Sequence, residues 1–446
     1  LMKLFRKLLS ATLAAAMTLT SVTVVTTSVS AAPSISAGWN ETLYAEWADS
    51  NPDSPDVQVG YKLSTDSSYT YLSGDDLTYL VRPASTSGYG RVDIPGLKAG
   101  RYDISIKASD GTVHERKGIK VYEYDRSGYA HWNSTEGIGG YNNDGTPKSN
   151  AIVVYVTNEN KDTVEVPGYE GRSYDYHSNS ANVDYTRTCE GIGNILNNNM
   201  KFIQDITITD NHPLIVRLVG KVDVPKNLTP YNTKDVALGG SAGDNGNLAV
   251  TKYGRNITIE GIGDDATVDG WGFTFSQTST CPKDAGKSFE VRNITFKNYT
   301  EDALGFQGDD AITCPIERVW VHNNVFYPGY CANPAEGDKA EGDGSCDFKR
   351  GKYYTMSYNH YINCHKTNLL GAGDSDDQFY MTLHHNWYEG VASRQPLGAG
   401  GNVHIYNTYF DHAKSQTIDL RGKAACFSEA NYFDACKNAY KSRKAT

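Results

Sequence analysis

Acidic side chains in the second half of the chain have the types and spacing of a cation site. Asp310 lies in "GDDAIT", immediately before a predicted strand, and Asp343 and Asp347 stand four residues apart in "EGDGSCDFK". A single aspartate of this kind is more readily a turn or cap residue, but three beside successive strands favour a common site. Incomplete carboxylate coordination completed by water suits Ca²⁺, which accepts six to eight oxygens in flexible geometry. We therefore predict a calcium site.

Two cations follow these carboxylates along the chain. Lys366 lies in "CHKTNLLG", and Arg394 stands alone in the loop-like "SRQPLGAGG". The chain as a whole is acidic, with a formal net charge of -10. That balance argues against a general nucleic-acid binder, which usually presents a basic face. It is compatible with an anionic substrate held by a few local cations and a bridging metal.

A repeated strand pattern must position these residues. Six short apolar or aromatic runs each carry an asparagine, and these are Asn298, Asn324, Asn359, Asn386, Asn407 and Asn431. The intervals are 26, 35, 27, 21 and 24 residues. A repeat of this length with strand character and no helical periodicity indicates a parallel β-solenoid. Coils stacked in register would bring residues before equivalent strands close together.

The asparagines themselves are predicted to be structural. Asparagine tolerates the left-handed conformation of a tight turn, and its amide can bond to the asparagine of the next coil. Asn386 and Asn407 are therefore expected to form a ladder. The longest interval, between 324 and 359, contains Asp343 and Asp347 and is expected to carry a functional loop.

The N-terminus predicts export. A basic start precedes the apolar run "LLSATLAAAMTLTSVTVV", and small residues in "SVSAAP" offer a cleavage point. The alternative is a membrane anchor, which the serines and threonines in the run disfavour. We predict a signal peptide at 1–32, a secreted protein and no membrane partner.

Residues 33–125 are predicted to form a separate β-sandwich. This region contains no cysteine and consists of short alternating runs separated by turn residues. The stretch "IPGLKAGRYDISIKA" resembles the late strands of a fibronectin type III domain, with Tyr102 placed like the corner tyrosine of that fold. The alternative is an irregular β-rich extension. Residues 126–446 form the second predicted domain.

All eight cysteines lie in the second predicted domain, between residues 189 and 436. Disulfides are permitted outside the cell, although eight cysteines allow 105 pairings. The local pairs Cys426–Cys436 and Cys331–Cys346 are hypotheses only. No CxxC pair has the spacing of a zinc knuckle.

The region from about 126 to 436 resembles polysaccharide lyase family 1, the pectate lyases. "DDAITCPIERVWVHNN" is similar to the Asp-Ala-Ile and Val-Trp-Ile-Asp-His block of that family, and "DGSCDFK" to its Asp-Gly-x-x-Asp pair. "HKTNLLG" and "HHNWYEGVASRQPLGAGGNVHIYN" are similar to its lysine block and its Arg-x-Pro block. Four blocks in the family's order, each beside a repeat strand, make the resemblance specific.

The resemblance implies an all-β fold, a right-handed parallel β-helix preceded by the small β-sandwich. It also implies calcium-dependent cleavage of α-1,4-polygalacturonate by β-elimination, giving 4,5-unsaturated oligogalacturonides. The positions matching the family's calcium ligands are Asp310, Asp343 and Asp347. Lys366 matches the lysine that binds a substrate carboxylate, and Arg394 matches the arginine taken to abstract the proton.

Two further basic residues match substrate-binding positions, Lys349 and Arg421. One position departs from the family pattern near the proposed base. The family usually has a second arginine five residues after the first, where this chain has Ala399. In "VWVHNN", His322 and Asn323 replace the usual Asp-His pair and are interpreted as structural. The expected partner is pectate of the plant cell wall, bound by a monomer.

Three other activities compete with this interpretation. A polygalacturonase would hydrolyse the same polymer with paired carboxylates, but its Asn-Thr-Asp, Gly-His-Gly and Arg-Ile-Lys motifs do not occur here. A pectin lyase should lack the calcium carboxylates. A non-catalytic uronan-binding β-solenoid is favoured by Ala399 and disfavoured by the presence of both Lys366 and Arg394.

Overall fold

The structure is a computed structural model that describes residues 35–178, 182–196, 201–226, 248–299, 302–329 and 341–443. The predicted signal peptide and Cys331 lie outside these ranges. The chain divides into two compact units, with the boundary between Tyr124 and Asp125.

The N-terminal unit consists of two four-stranded antiparallel sheets. Its elements are β1 (Ile35–Gly38), β2 (Thr42–Ala48), β3 (Gln58–Leu63), β4 (Thr70–Tyr71), α1 (Gly74–Leu80), β5 (Val81–Pro83), β6 (Tyr89–Pro95), β7 (Gly100–Lys107) and β8 (Val113–Val121). One sheet has the order β1-β2-β6-β5 and the other β4-β3-β7-β8. Tyr102 is buried, and its hydroxyl donates to the Lys98 carbonyl at 3.0 Å. The likeness to fibronectin type III stays a prediction.

The second unit begins with strands and short helices that precede the regular coils. These are β9 (Ile152–Val156), β10 (Ser173–Ser178), β11 (Val183–Thr188), α2 (Ile192–Leu196), α3 (Phe202–Gln204), a π-helical turn (Asp205–Thr209) and β12 (Leu214–Asp223). β12 pairs in parallel with β9, which starts the stack.

The coils follow as three strands per turn. They are β13 (Leu248–Lys252), β14 (Arg255–Asp269), β15 (Gly272–Ser276), β16 (Lys287–Arg292), β17 (Thr295–Lys297), β18 (Leu304–Gln307), β19 (Ile316–His322), β20 (Val325–Tyr327), β21 (Cys346–Lys349), β22 (Gly351–Ser357), β23 (His360–Ile362), β24 (Leu369–Leu370), β25 (Phe379–His384), β26 (Trp387–Glu389), β27 (Leu397–Ala399), β28 (Asn402–Tyr406), β29 (Tyr409–Asp411), β30 (Gln416–Arg421), β31 (Ala425–Glu429), β32 (Tyr432–Asp434) and β33 (Asn438–Arg443).

These strands form three parallel stacks. The first sheet runs β14-β16-β19-β22-β25-β28-β31 and the second β14-β17-β20-β23-β26-β29-β32, with the long β14 shared between them. The third sheet runs β13-β15-β18-β21-β24-β27-β30-β33. Each coil thus adds one strand to each sheet, and the predicted parallel β-helix is confirmed.

Aromatic side chains inside the coils stack along the axis. Phe296, Phe326, Tyr361, Tyr388, Phe410 and Phe433 form one such row, with successive ring centroids 4.7–5.2 Å apart. Coils in register place equivalent side chains one strand spacing apart, about 4.8 Å. The regular spacing of this row shows that these coils are stacked in register.

An asparagine ladder runs along the turn between the first and second sheets. Asn359 is buried, and its Oδ1 accepts from the backbone N–H of Asn324 at 3.1 Å. Asn386 Oδ1 accepts from the backbone N–H of Asn359 at 3.0 Å in the same way. The ladder prediction is therefore confirmed for Asn386.

The prediction was wrong for Asn407. This residue is exposed and occupies the left-handed position one residue before the ladder, with φ 48°. Thr408 takes the ladder position in that coil, and its backbone N–H donates to Asn431 Oδ1 at 2.9 Å. Asn298 also lies elsewhere, after β17 at the end of the second-sheet strand. Asparagines serve both the left-handed and the ladder positions, so the sequence alone does not separate them.

The seven cysteines within the described ranges are all free thiols. Cys426 and Cys436 are therefore not joined in this structure, although they are only ten residues apart. Across the part of the chain that the structure describes, the helices are too short to cross a bilayer.

Candidate active site on the third sheet

The register of the third sheet brings three predicted site segments to one edge. Gly344 bridges Lys366, and Lys366 bridges Ser393, each in parallel alignment. These residues come just before β21, β24 and β27, the third-sheet strands of three successive coils. Asp343 and Arg394 are their direct chain neighbours, so acidic and basic side chains from distant segments meet there.

Lys366 and Asp343 form the first contact of this site. Lys366 Nζ donates to Asp343 Oδ1 at 2.8 Å, and both side chains are largely buried. This ion pair lies at the edge of the third sheet, where little solvent reaches it. The Lys366 ammonium is therefore already oriented before a ligand binds. The structure thus brings together the predicted carboxylate-binding lysine and one predicted metal ligand.

Asp347 lies on β21, in the same coil as Asp343, and its pKa is subject to opposing influences. Burial raises the pKa of its carboxyl above the ordinary value, while Lys349 and Arg394 act in the other direction. Lys349 Nζ lies 3.5 Å from Asp347 Oδ2. Burial favours the neutral amine, yet Asp347 and Asp302 outweigh it and raise the pKa of Lys349. Burial therefore disfavours the charged form of the Asp347 carboxyl more than Lys349 and Arg394 favour it.

Asp302 is a site carboxylate that the sequence interpretation missed. It comes two residues before β18, and Leu304 of β18 aligns with Cys346 of β21, so Asp302 falls in the row of Gly344. Its Oδ1 accepts a hydrogen bond from the Gly344 N–H at 2.8 Å. The signal was present, because "DAL" at 302–304 has the same Asp-Ala-aliphatic form as "DAI" at 310–312.

Asp310 does not join this group. It follows the end of β18, whereas Asp302 precedes its start, and a four-residue strand separates the two by roughly 10 Å or more. Asp310 is exposed, and its Oδ1 accepts from the backbone N–H groups of Ile312 and Thr313, both at 2.8 Å. These bonds lower the pKa of its carboxyl. The structure therefore assigns the role of a turn residue to Asp310 and places Asp302 beside the other carboxylates.

Arg394 is presented by a constrained loop. Its backbone is in the left-handed region with φ 63°, and its carbonyl accepts from the Asn368 N–H at 2.8 Å. The side chain is partly exposed and lies near enough to Asp347 to influence that carboxyl. A left-handed arginine costs free energy, which the bonds to the adjacent coil offset.

Arg421 and Ala399 lie at the opposite end of the third-sheet strands. Ala399 pairs with Arg421 in the sheet. Arg421 Nη2 donates to the Ala372 carbonyl at 2.9 Å, and its Nε lies 3.3 Å from Asp374 Oδ1. Ala399 is fully buried, and Gln378 Nε2 donates to its carbonyl. The position of the family's second arginine is therefore covered by the loop that holds Arg421.

His322 has a structural environment, as expected. It is fully buried on the first sheet, and its Nε2 lies 3.1 Å from Glu290 Oε1. Glu290 also pairs with Arg292 at 3.2 Å. The network belongs to the interior of the scaffold.

The carboxylates of the site fit a hard cation. A Cβ on Gly344 would lie 2.7 Å from Asp302 Oδ1 and 2.8 Å from Asp347 Oδ1. Because Gly344 has no side chain, a small space remains beside it, and one carboxylate oxygen from each of two coils faces this space. Asp343 directly precedes Gly344 in the chain. Ca²⁺ prefers oxygen ligands, and negatively charged carboxylates among them.

Comparison with known proteins identifies the family and several similar sequences. The family model described as "Pectate lyase" matches residues 209–445. Pectate lyase 3 of Pectobacterium carotovorum is 30% identical over 200 residues, which cover 44% of this chain and 50% of that protein. The pectate trisaccharide-lyase of Bacillus licheniformis is 28% identical over 247 residues, covering 53% and 64%. The chain thus spans about half to two thirds of the length of these relatives.

One solved structure is similar at lower sequence identity. A pectate lyase from Bacillus sp. N165, in complex with trigalacturonate, is 22% identical and covers 70% of this chain and 76% of that chain, with a TM-score of 0.45. The family model alone spans more than half of the present sequence. The chain therefore belongs to the pectate lyase family.

Proposed function

We propose that the protein is a secreted, calcium-dependent pectate lyase that cleaves α-1,4-polygalacturonate by β-elimination to 4,5-unsaturated oligogalacturonides. The observation that carries the proposal is the meeting of Asp302, Asp343 and Asp347 with Lys366 and Arg394 at one edge of the third sheet. Carboxylates for a divalent cation and basic side chains for an anionic polymer occur there together.

The proposed ligands of Ca²⁺ are Asp302, Asp343 and Asp347. Ca²⁺ held there would supply positive charge that makes the proton on carbon 5 of the uronate more acidic. Asp310, which resembles a ligand in sequence, has no part in this arrangement.

Lys366 and Lys349 bind and orient the anionic chain. Lys366 is aimed by its bond to Asp343, and a substrate carboxylate can take over or share that ammonium. Cations fixed beside the place where negative charge develops lower the barrier without reorganisation. Arg421 extends the basic surface along the same sheet, where it is held by Asp374.

Arg394 is the proposed base. Its neutral guanidine accepts the proton from carbon 5, the electron pair forms the bond between carbons 4 and 5, and the bond from carbon 4 to the glycosidic oxygen breaks. That oxygen then takes a proton to complete the new chain end. The assignment is supported by the match of Arg394 to the family's Arg-x-Pro block and by the bridge that joins its chain neighbour Ser393 to Lys366.

We further propose that the N-terminal unit is a fibronectin type III-like accessory domain at residues 33–125, preceding the β-helix domain at 126–446. A monomer would suffice, since every proposed site residue comes from one chain. The signal peptide at 1–32 remains part of this proposal.

The test is incubation of the full chain with polygalacturonate, with and without a chelator, while ultraviolet absorbance is followed. Unsaturated products that vanish with chelator and return with Ca²⁺ are expected. Reducing ends without absorbance would indicate hydrolysis, and binding without cleavage would indicate a uronan-binding solenoid. Either result would overturn the proposal.

The matched variants are Arg394→Ala and Arg116→Ala, the second being an exposed arginine of β8. Loss of a catalytic base should lower kcat by about 10²-fold or more while the Arg116 variant keeps full activity. Full activity of Arg394→Ala would disprove the assigned role.

A further inference from the structure

The two adjacent histidines of "HHNWY" direct their rings to the same side of the first sheet. Consecutive side chains of a strand normally point to opposite faces. His384 ends β25, however, and His385 adopts the left-handed conformation with φ 53°. As a result His384 Nδ1 and His385 Nδ1 face each other at 2.9 Å.

A carboxylate from a remote part of the unit completes this group. Asp125 Oδ2 lies 4.0 Å from His384 Nδ1. One donor atom from each of the three residues lies within 4.8 Å of the others. The separation from Asp125 is too long for a hydrogen bond and is the kind of gap that an ion spans.

Hydrogen bonds around the three residues determine which ring nitrogens can bind a metal ion. His384 Nε2 lies 3.2 Å from the Ser127 carbonyl, which can only accept, so Nε2 carries the proton and the lone pair of Nδ1 points inward. Tyr358 donates to Asp125 Oδ2 at 3.0 Å and stacks on the His385 ring. Metal-binding histidines typically donate their second N–H to a carbonyl or carboxylate in this manner.

We propose that Asp125, His384 and His385 form a binding site for a divalent transition-metal ion, with Zn²⁺ as the representative ion. Two imidazoles and one carboxylate suit zinc, copper or nickel rather than calcium. Donors on a tetrahedral zinc ion lie about 3.3 Å apart, given bonds of about 2.0–2.1 Å. The separations of 2.9 Å and 4.0 Å bracket that value, so small side-chain rotations suffice. Water takes the fourth position.

Metal binding would change which nitrogen of His385 carries the ring proton. Without metal, His385 Nδ1–H donates to His384 Nδ1, and the Asn407 amide lies 3.4 Å from His385 Nε2. With metal, both Nδ1 lone pairs face the ion, and the proton of His385 moves to Nε2 or to solvent. Rotation of the Asn407 amide then offers an oxygen to the new N–H.

The ion would join two segments that are far apart in sequence. Asp125 begins the segment that crosses the first sheet, where Tyr129 N and Ala130 N donate to Thr382 and Thr355 side chains at 3.1 and 2.9 Å. A ligand that binds only the folded state stabilises it in proportion to the logarithm of its concentration. The site is on a different sheet from the proposed catalytic residues, so it can be tested independently of lyase activity.

The experiment is a calorimetric titration of Zn²⁺ into the full chain, freed of metals and then supplied with excess Ca²⁺ to fill oxygen sites. One equivalent should bind to the wild type. His385→Asn and Asp125→Asn should each weaken binding at least about tenfold, which corresponds to about 1.4 kcal/mol. Asparagine suits position 385 because it takes the same left-handed turn at 323 and 407.

The control variant is His404→Asn, a histidine of the neighbouring strand that pairs with Glu429 at 2.9 Å. It should bind like the wild type. Visible absorption of Co²⁺ in place of Zn²⁺ should appear in the wild type and the control and be lost in both site variants. Absence of stoichiometric binding, or equal affinity in wild type, His385→Asn and Asp125→Asn, would overturn the proposal. Unfolding temperatures without metal confirm that the variants are folded.

Discussion

The carboxylates of Asp302 and Asp347 meet across Gly344, one from each of two neighbouring coils. Their Oδ1 atoms both lie within 2.8 Å of the point that a Cβ on Gly344 would occupy. The Gly344 N–H donates to the first of these atoms. The proposed cation site therefore depends on strand register, which aligns Asp302 with Gly344 and Asp347 of the next coil.

Asp302→Asn should weaken calcium binding at least about tenfold, because a neutral amide replaces a charged ligand. Asp310→Asn is the matched comparison and should leave calcium affinity unchanged, since its carboxylate is used by a local turn. Calcium titration followed by calorimetry measures both. The reverse ranking would restore Asp310 as the ligand and remove Asp302.

Gly344→Ala should lower both calcium affinity and lyase activity while the β-helix stays folded. The added methyl group would overlap two carboxylate oxygens, and these must move apart to admit it. Gly373→Ala is the control, because a Cβ there meets only Asp376 Oδ1 at 4.0 Å. Circular dichroism reports the fold, and unchanged calcium affinity in Gly344→Ala would contradict the geometry.

Asn359→Ala should destabilise the β-helix by about 2–4 kcal/mol, because it leaves buried backbone groups of Asn324 and Val321 without partners. Asn407→Gly removes an exposed amide and keeps the left-handed turn, so its cost should be below about 1 kcal/mol. The midpoint of urea unfolding compares the two. Equal losses would mean that the ladder contributes nothing specific.

The buried Glu290 should make stability fall in acid. Burial alone would raise its pKa, but Arg292 and His322 outweigh burial and lower it from 4.5 to about 2. The unfolded chain then binds a proton more readily than the folded one, so this stability is complete above pH 4.5 and is lost as pH falls towards 2. Unfolding temperatures across that window should drop more steeply for the wild type than for Glu290→Gln. Parallel curves would contradict this assignment.

Much of the scaffold could be predicted from sequence because the solenoid repeats one local rule. Each coil needs short apolar runs, a left-handed turn residue and an amide beside it, and the asparagine pattern shows this directly. The pattern does not distinguish Asn386 from Asn407, since the two roles occupy adjacent positions and both suit asparagine. Only the hydrogen-bond partners separate them.

The site was harder to predict for a different physical reason. Asp302 and Asp310 both precede an alanine and an aliphatic residue, and a motif alone cannot show on which end of β18 each lies. Strand register decides this, because Asp302 falls in the row of Gly344 and Lys366. Lys366, Arg394 and Asp343 needed no such distinction, since each occurs once beside its own strand.

The threonine in the asparagine ladder has a consequence for how the molecule opens. Thr408 turns its hydroxyl back to the Tyr406 carbonyl at 3.1 Å, so the amide chain that links the earlier coils stops before it. The ladder bond between the coil of Asn386 and the coil of Thr408 is therefore missing, and the ladder resumes only with Asn431 in the last coil. In a linear array of repeats, such a break separates cooperative blocks. Amide protons beyond Thr408 should therefore exchange with solvent as one early-opening group, while those of the catalytic coils stay protected.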